Sequence, residues 1–152
     1  MTNLARWSLA STSPAVTFMS TTLATVASSS LSVISSQTQV ASSQLNIYCD
    51  IELLVGTTAG PFGAGSGFTV FAVPTIDGSN SAELNQAELE PLCFMPMTTS
   101  TSNTQHRVNR RLIPVSPIDF ACAVYNGTTQ TLSTGSGANT LKLAFYDINL
   151  NA

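Results

Sequence analysis

Between positions 106 and 111 the chain gathers its one histidine, His106, and three of its five basic residues, Arg107, Arg110 and Arg111. Planar guanidiniums at this density suit carboxylates or phosphates. In an extended strand Arg107 and Arg111 point one way and Arg110 the other. Two uses stand open: contacts to an acidic neighbouring surface, or a sheet edge kept from pairing by its charge. Phosphate is disfavoured, because the net charge is −3 and a nucleic-acid binder normally presents a basic face. Asp50 and Glu52 lie two apart on one strand face beside Tyr48. Paired carboxylates can serve sugar hydrolysis or hold a cation, and they serve equally as the polar outside of a strand.

Other chemistry is sparse. No GxSxG elbow accompanies His106, which reads as a loop or strand-start residue. Gly63-Ala64-Gly65-Ser66-Gly67 lacks the residue that the elbow needs between Ser66 and Gly67, and lacks the Lys-Ser/Thr of a phosphate loop. It reads as a flexible loop. Cys49, Cys93 and Cys122 show no CxxC spacing and so no metal-site pattern; they read as reduced core thiols. Asn126-Gly127-Thr128 fits a glycosylation triplet but reads as a turn, since the first residues lack the apolar run of a signal peptide. The expectation is a protein without catalytic residues, cofactor or metal.

The elements that must position these residues follow from composition and periodicity. Hydrophobic residues make up 43 % of the 152, enough for one well-buried core, while charged residues are only 9 % against a typical value of about 25 %. The polar surface must therefore come largely from the 40 serines and threonines. A free monomer uses charge to stay apart from its neighbours, so this surface points weakly toward an assembly. No stretch approaches the length of a membrane span, and the expectation is a soluble chain made in the cytoplasm.

Residues 1–45 scatter apolar positions, among them Trp7 and Phe18, through Ser and Thr. They read as an extended arm with one or two short strands, docking on neighbouring subunits. Residues 46–152 read as the folded domain. Ile47, Cys49, Ile51, Leu53 and Val55 alternate with Tyr48, Asp50, Glu52 and Leu54, the period of a half-buried strand. Residues 56–67 hold five glycines and read as a loop. Further strands are expected over 68–73, 92–97, 107–115, 118–125, 129–133 and 141–146, with one or two helical turns over 82–90. Turns are expected at Asp77-Gly78 and Gly135-Ser136-Gly137, a corner at Pro114 and Pro117, and a tight hairpin at Asn126-Gly127. No amphipathic stretch is long enough for a crossover helix. The fold class is all-β, an antiparallel sandwich or barrel, with the first 45 residues as an extended arm.

The succession Arg111-Leu112-Ile113-Pro114-Val115, Pro117-Ile118-Asp119-Phe120, Tyr125-Asn126-Gly127-Thr128-Thr129-Gln130-Thr131-Leu132 and Asn139-Thr140-Leu141-Lys142-Leu143, with Tyr146-Asp147, resembles a group of small tailed-phage virion proteins. Two earlier segments share in it, Tyr48-Cys49-Asp50-Ile51-Glu52-Leu53 and Phe71-Ala72-Val73-Pro74-Thr75-Ile76-Asp77-Gly78. The resemblance covers roughly residues 46–149 and leaves the first 45 outside. Ile118-Asp119 stands where a Gly-rich turn belongs. What it implies is a jelly-roll-like sandwich serving as a capsid decoration (cement) protein on an icosahedral shell, often trimeric at local three-fold positions.

On that basis the expected partners are a major capsid protein and copies of the chain itself, as a homotrimer, with no nucleic acid and no membrane. The expected location is the virion surface. Trp7, Phe18, Arg107, Arg110 and Arg111 are the expected interface residues. The alternatives are a carbohydrate- or receptor-binding jelly roll, or a tail or neck component. Sugar platforms usually expose aromatic rings, and aromatics here are only 7 %.

Overall fold

In a computed structural model of the chain, the residues described are 5–9, 16–32, 34–35, 48–56, 58, 60–75, 84–97, 105–115, 120–133 and 139–150, with backbone alone for 5–9, 16, 21 and 146–150. Among these described residues nine strands form an antiparallel β-sandwich: β1 (Ala5–Leu9), β2 (Val16–Met19), β3 (Ser30–Leu31), β4 (Tyr48–Val55), β5 (Gly67–Pro74), β6 (Glu90–Pro96), β7 (His106–Pro114), β8 (Phe120–Asn126) and β9 (Thr140–Leu150). One sheet runs β1-β9-β4-β7, with β2 also paired to β9; the other runs β3-β8-β5-β6. Among the described residues no helix is long and apolar enough to cross a membrane.

The alternation read in 47–55 is the pattern observed over the described 48–55, with Ile47 outside the described residues: Cys49, Ile51, Leu53 and Val55 are buried, with Tyr48, Asp50, Glu52 and Leu54 on the opposite face. Leu141, Leu143 and Phe145 of β9 face the same core, and Cys49 pairs with Phe145 across the two strands. From the second sheet Phe68, Val70, Met95, Cys122 and Val124 close the core from the other side. Phe62 plugs one end, its ring edge-on to Phe68 at 6.3 Å and to His106 at 5.3 Å. Burying each such side chain is worth about 1.5–3 kcal/mol.

Strand β8 departs from strict alternation. Phe120, Cys122 and Val124 face the central core, while Ala121 and Ala123 join Phe71, Val73 and Leu89 in a second apolar cluster on the far face of the sheet. The second sheet is thus apolar on both faces.

The first 45 residues are corrected where they are described. Strands β1 and β2 pair with β9, and β3 pairs with β8, so the segment is woven into both sheets of its own chain. Phe18, expected to meet a neighbouring subunit, is 2 % exposed. Its ring stacks on Phe120 at 6.1 Å and lies tilted to Phe145 at 5.8 Å. Leu23 and Val26 are buried beside it. The physical reason is that β9 offers a free edge to β2, which delivers these apolar side chains to the open side of the core.

Three smaller expectations also change. Residues 84–90 hold a single turn, closed by Glu88 N–H and Leu89 N–H donating to the Asn85 carbonyl, with no helix. No returning strand forms over 129–133. Neither Asn126 nor Gly127 takes a positive φ. Asn126 is wholly buried, and its amide donates to the carbonyls of Val26 and Gln130 while its Oδ1 accepts from Thr128. That network ties the chain down as an irregular loop against the 26–29 segment where a two-residue hairpin was expected, and it leaves Asn126 no surface for a glycan. The turns at Asp77-Gly78 and Gly135-Ser136-Gly137, and the corner from Ser116 to Asp119, lie outside the described residues.

Candidate functional site

The outer face of the first sheet is where the chain concentrates charge. Period-2 alternation in β4 sends Asp50 and Glu52 outward, and the register sets Glu52 between Lys142 of β9 and Asn109 of β7. On β7, Arg107, Asn109 and Arg111 are exposed on this face while Val108 and Arg110 turn the other way, as the spacing predicts. Four of the five basic residues therefore come from this face and its edge.

The arginines are already held. Arg107 Nη1 donates to both carboxylate oxygens of Glu52 at 3.1 and 3.0 Å, and Arg111 Nε donates to Asp50 Oδ2 at 3.2 Å. Both guanidiniums stay open to solvent, 56 % and 81 % exposed, so each ion pair adds only about 0.2–1 kcal/mol. Their effect is mainly to orient the guanidiniums.

A bulge sets the second pair. Cys49 pairs with Ile113 and Ile51 with Arg110, so Arg111 and Leu112 together oppose Asp50. Leu112 takes φ 58°, a left-handed conformation rare for a branched apolar residue. The Asp50 carboxylate holds it there by accepting the Leu112 N–H at 3.0 Å. The bulge also leaves the Leu112 side chain 53 % exposed.

Arg110 has a different job from the one expected. From the inner side of β7 its Nε donates to the Phe94 carbonyl on β6 at 3.0 Å, bridging the two sheets of the same chain along one edge of the sandwich. Of the five expected interface residues, Arg107 and Arg111 stand together on the outer face, Arg110 closes the sheet edge and Phe18 is in the core. Trp7 lies opposite Ile148 in the β1–β9 register, at the other side of that sheet.

Between the strands the outer face dips into a shallow depression of about 470 Å³, lined by Asp50, Glu52, Asn109, Arg110, Arg111 and Lys142 among others. The Arg111 guanidinium, the Lys142 ammonium, two carboxylates and an amide meet there, with no histidine or thiol in the lining. His106 sits away from it, its Nε2 buried without a hydrogen-bond partner. Among the described residues no group of three or more histidine, cysteine or acidic side chains is placed to hold a metal ion.

The three thiols are free. Burial pushes Cys49 up to about 12, with Cys93 and Asp50 adding to it, and pushes Cys93 up to about 11, offset in part by Arg110. Cys122, almost fully enclosed, is raised well above the ordinary range by burial and then by the other two thiols.

Sequence reasoning found the charged residues but missed their pairing. Opposite charges at outward positions of two strands were a usable signal; the bulge that brings Arg111 to Asp50 had none. No family model, curated protein or solved structure matches this chain.

Proposed function

We propose that the chain is a virion structural subunit of a tailed phage, a head decoration protein that binds the outside of the capsid shell and its own copies, as a homotrimer, and stabilises the shell by those contacts. The observation that carries the reading is the outer face of the first sheet. In a chain with 9 % charged residues, guanidiniums and an ammonium gather on one flat surface, oriented by carboxylates of the same sheet and still accessible. Such a face suits a protein surface offering carboxylates and carbonyls, and a shallow open depression suits docking better than enclosing a substrate. The resemblance of its succession of motifs to small virion proteins is what points to a capsid protein as the partner.

The test is retention of the purified chain on empty phage heads by co-sedimentation. Binding is expected to weaken as salt rises and to drop at least several-fold in Arg111→Glu and Lys142→Glu, two substitutions on the outer face that spare the core. Salt-independent binding equal in the variants would sink the role of this face. Specific glycan binding without shell association would move the protein to a sugar-binding class.

A further inference from the structure

Acidic charge collects where basic charge is absent. Residues 77–90 hold four of the eight acidic side chains, Asp77, Glu83, Glu88 and Glu90, and no Lys or Arg stands between Arg6 and Arg107. The described part of this segment is a fixed turn ahead of β6. The Asn85 carbonyl accepts the Glu88 and Leu89 N–H groups at 2.9 and 3.1 Å, and the Asn85 side-chain amide donates to Glu88 Oε1 at 2.8 Å. Leu89 is buried in the far-face cluster of the second sheet and so pins the turn. Positions 84–88 and Glu90 are exposed. Among the described residues neither Glu88 nor Glu90 is in an ion pair.

The outer face of the first sheet has the complementary make-up. Arg111 engages Asp50 through Nε alone, and its side chain is 81 % exposed. Lys142 stands opposite Glu52 in the β4–β9 register, yet among the described residues it is in no ion pair. Leu112, beside Arg111, is exposed, and so is Leu84 at the acidic turn; they are two of the three large apolar side chains exposed among the described residues. Each patch thus joins an exposed leucine to charge of one sign.

One chain cannot bring its own two patches together. The acidic turn leads into β6 of the second sheet, whereas Arg111 and Lys142 lie on the side of the first sheet that faces away from it. Packed sheets stand about 10 Å apart, so the acidic turn that meets this face belongs to a second copy. Opposite charge steers the approach and fixes the register, and the leucines add apolar area. The two patches are different surfaces, so the contact is head-to-tail, and head-to-tail contacts close into rings where the rotation allows. We propose that Glu88 and Glu90 of one copy dock on Arg111 and Lys142 of the next, with Leu84 and Leu112 in the same contact, and that this contact repeats around the homotrimer. The inference rests on the reading of the chain as an assembly subunit and names the surfaces through which copies join.

Light scattering on the full chain, with no phage heads present, measures its mass over a dilution series at low and high salt. The unmodified chain is expected to be trimeric and to dissociate at least several-fold more readily at high salt. Glu88→Lys with Glu90→Lys, and separately Arg111→Glu with Lys142→Glu, are each expected to be monomeric. The lysine pair brings the net charge of −3 nearer to zero, so general repulsion does not account for its dissociation. All the substitutions together in one chain restore opposite charges with the signs exchanged, and the trimer is expected to return. A monomeric or dimeric unmodified chain overturns the proposal. So does a trimer that salt leaves unchanged, that either pair leaves intact, or that the combined chain fails to recover. Should one pair fail to fold, as its melting curve would show, the other pair and the salt response of the unmodified chain decide. A trimer that is not retained on phage heads overturns the virion reading and leaves this contact standing; a monomer that is retained does the reverse.

Discussion

Arg107 on β7 and Glu52 on β4 are diagonal neighbours across a strand pair, one guanidinium nitrogen reaching both carboxylate oxygens at 3.1 and 3.0 Å. The backbone partner of Glu52 is Asn109, and that of Arg107 is Leu54, so the pair spans the pleat diagonally. Its exposure keeps its energy small and its orientation useful.

Arg107→Ala and Glu52→Ala are therefore expected to change stability little, with a coupling of about 0.2–1 kcal/mol in a double-mutant cycle. Urea titrations at low and high salt measure it, and the coupling should shrink as salt rises. A coupling of several kcal/mol would mean the pair is shielded from water.

Phe18→Ala is expected to destabilise by roughly 3–5 kcal/mol, because the ring packs on both Phe120 and Phe145, which also meet each other. Chemical denaturation of the variant decides whether residues 16–35 belong to the sandwich: an unchanged midpoint would return them to the status of a separate arm.

At Gly67 an added Cβ would lie 2.5 Å from the Met95 carbonyl oxygen and 2.6 Å from the Phe94 ring. Gly67→Ala should cost on the order of 1–3 kcal/mol. Combining it with Phe94→Ala removes the ring but not the carbonyl, so the double variant should stay destabilised relative to Phe94→Ala. Full recovery in thermal unfolding would show that the ring alone is the obstacle.

The thiols tie stability to alkaline pH. Burial raises Cys49 and Cys93 from 9.0 to about 12 and about 11, so above pH 9 the unfolded chain has released protons that the folded chain still binds. Stability from this source is complete below pH 9 and is lost as pH climbs toward those raised values. Unfolding midpoints under reducing conditions should fall across that window, less steeply in Cys49→Ala than in the unmodified chain; equal slopes would contradict it. The same burial makes native thiols slow toward alkylating reagents until denaturant is added.

Asn126→Asp tests the buried loop anchor. Replacing two N–H donors by a carboxylate oxygen sets negative charge against the carbonyls of Val26 and Gln130 and should cost several kcal/mol, since each buried group left unpaired costs roughly 1–3 kcal/mol. An unaltered melting temperature would show that water replaces the amide.

Much of this architecture was legible in the residues. The strict alternation of Cys49, Ile51, Leu53 and Val55, the glycines after Val55 and the absence of any long amphipathic run were sufficient for an all-β antiparallel fold, because side-chain period is a local property of an extended backbone; the choice of sandwich over barrel lies in the strand pairing. The opposite facing of Arg107 and Arg110 followed from the same period. What period cannot encode is which strand lies alongside and which side of it is the core. That Arg111 reaches Asp50 required a bulge at Leu112; that Phe18 is buried required β9 to offer β2 an edge; that Ala121 and Ala123 are covered required a second apolar layer on the far face. Each of these outcomes depends on register between segments distant in the chain, where the free energy comes from contacts that no single segment contains.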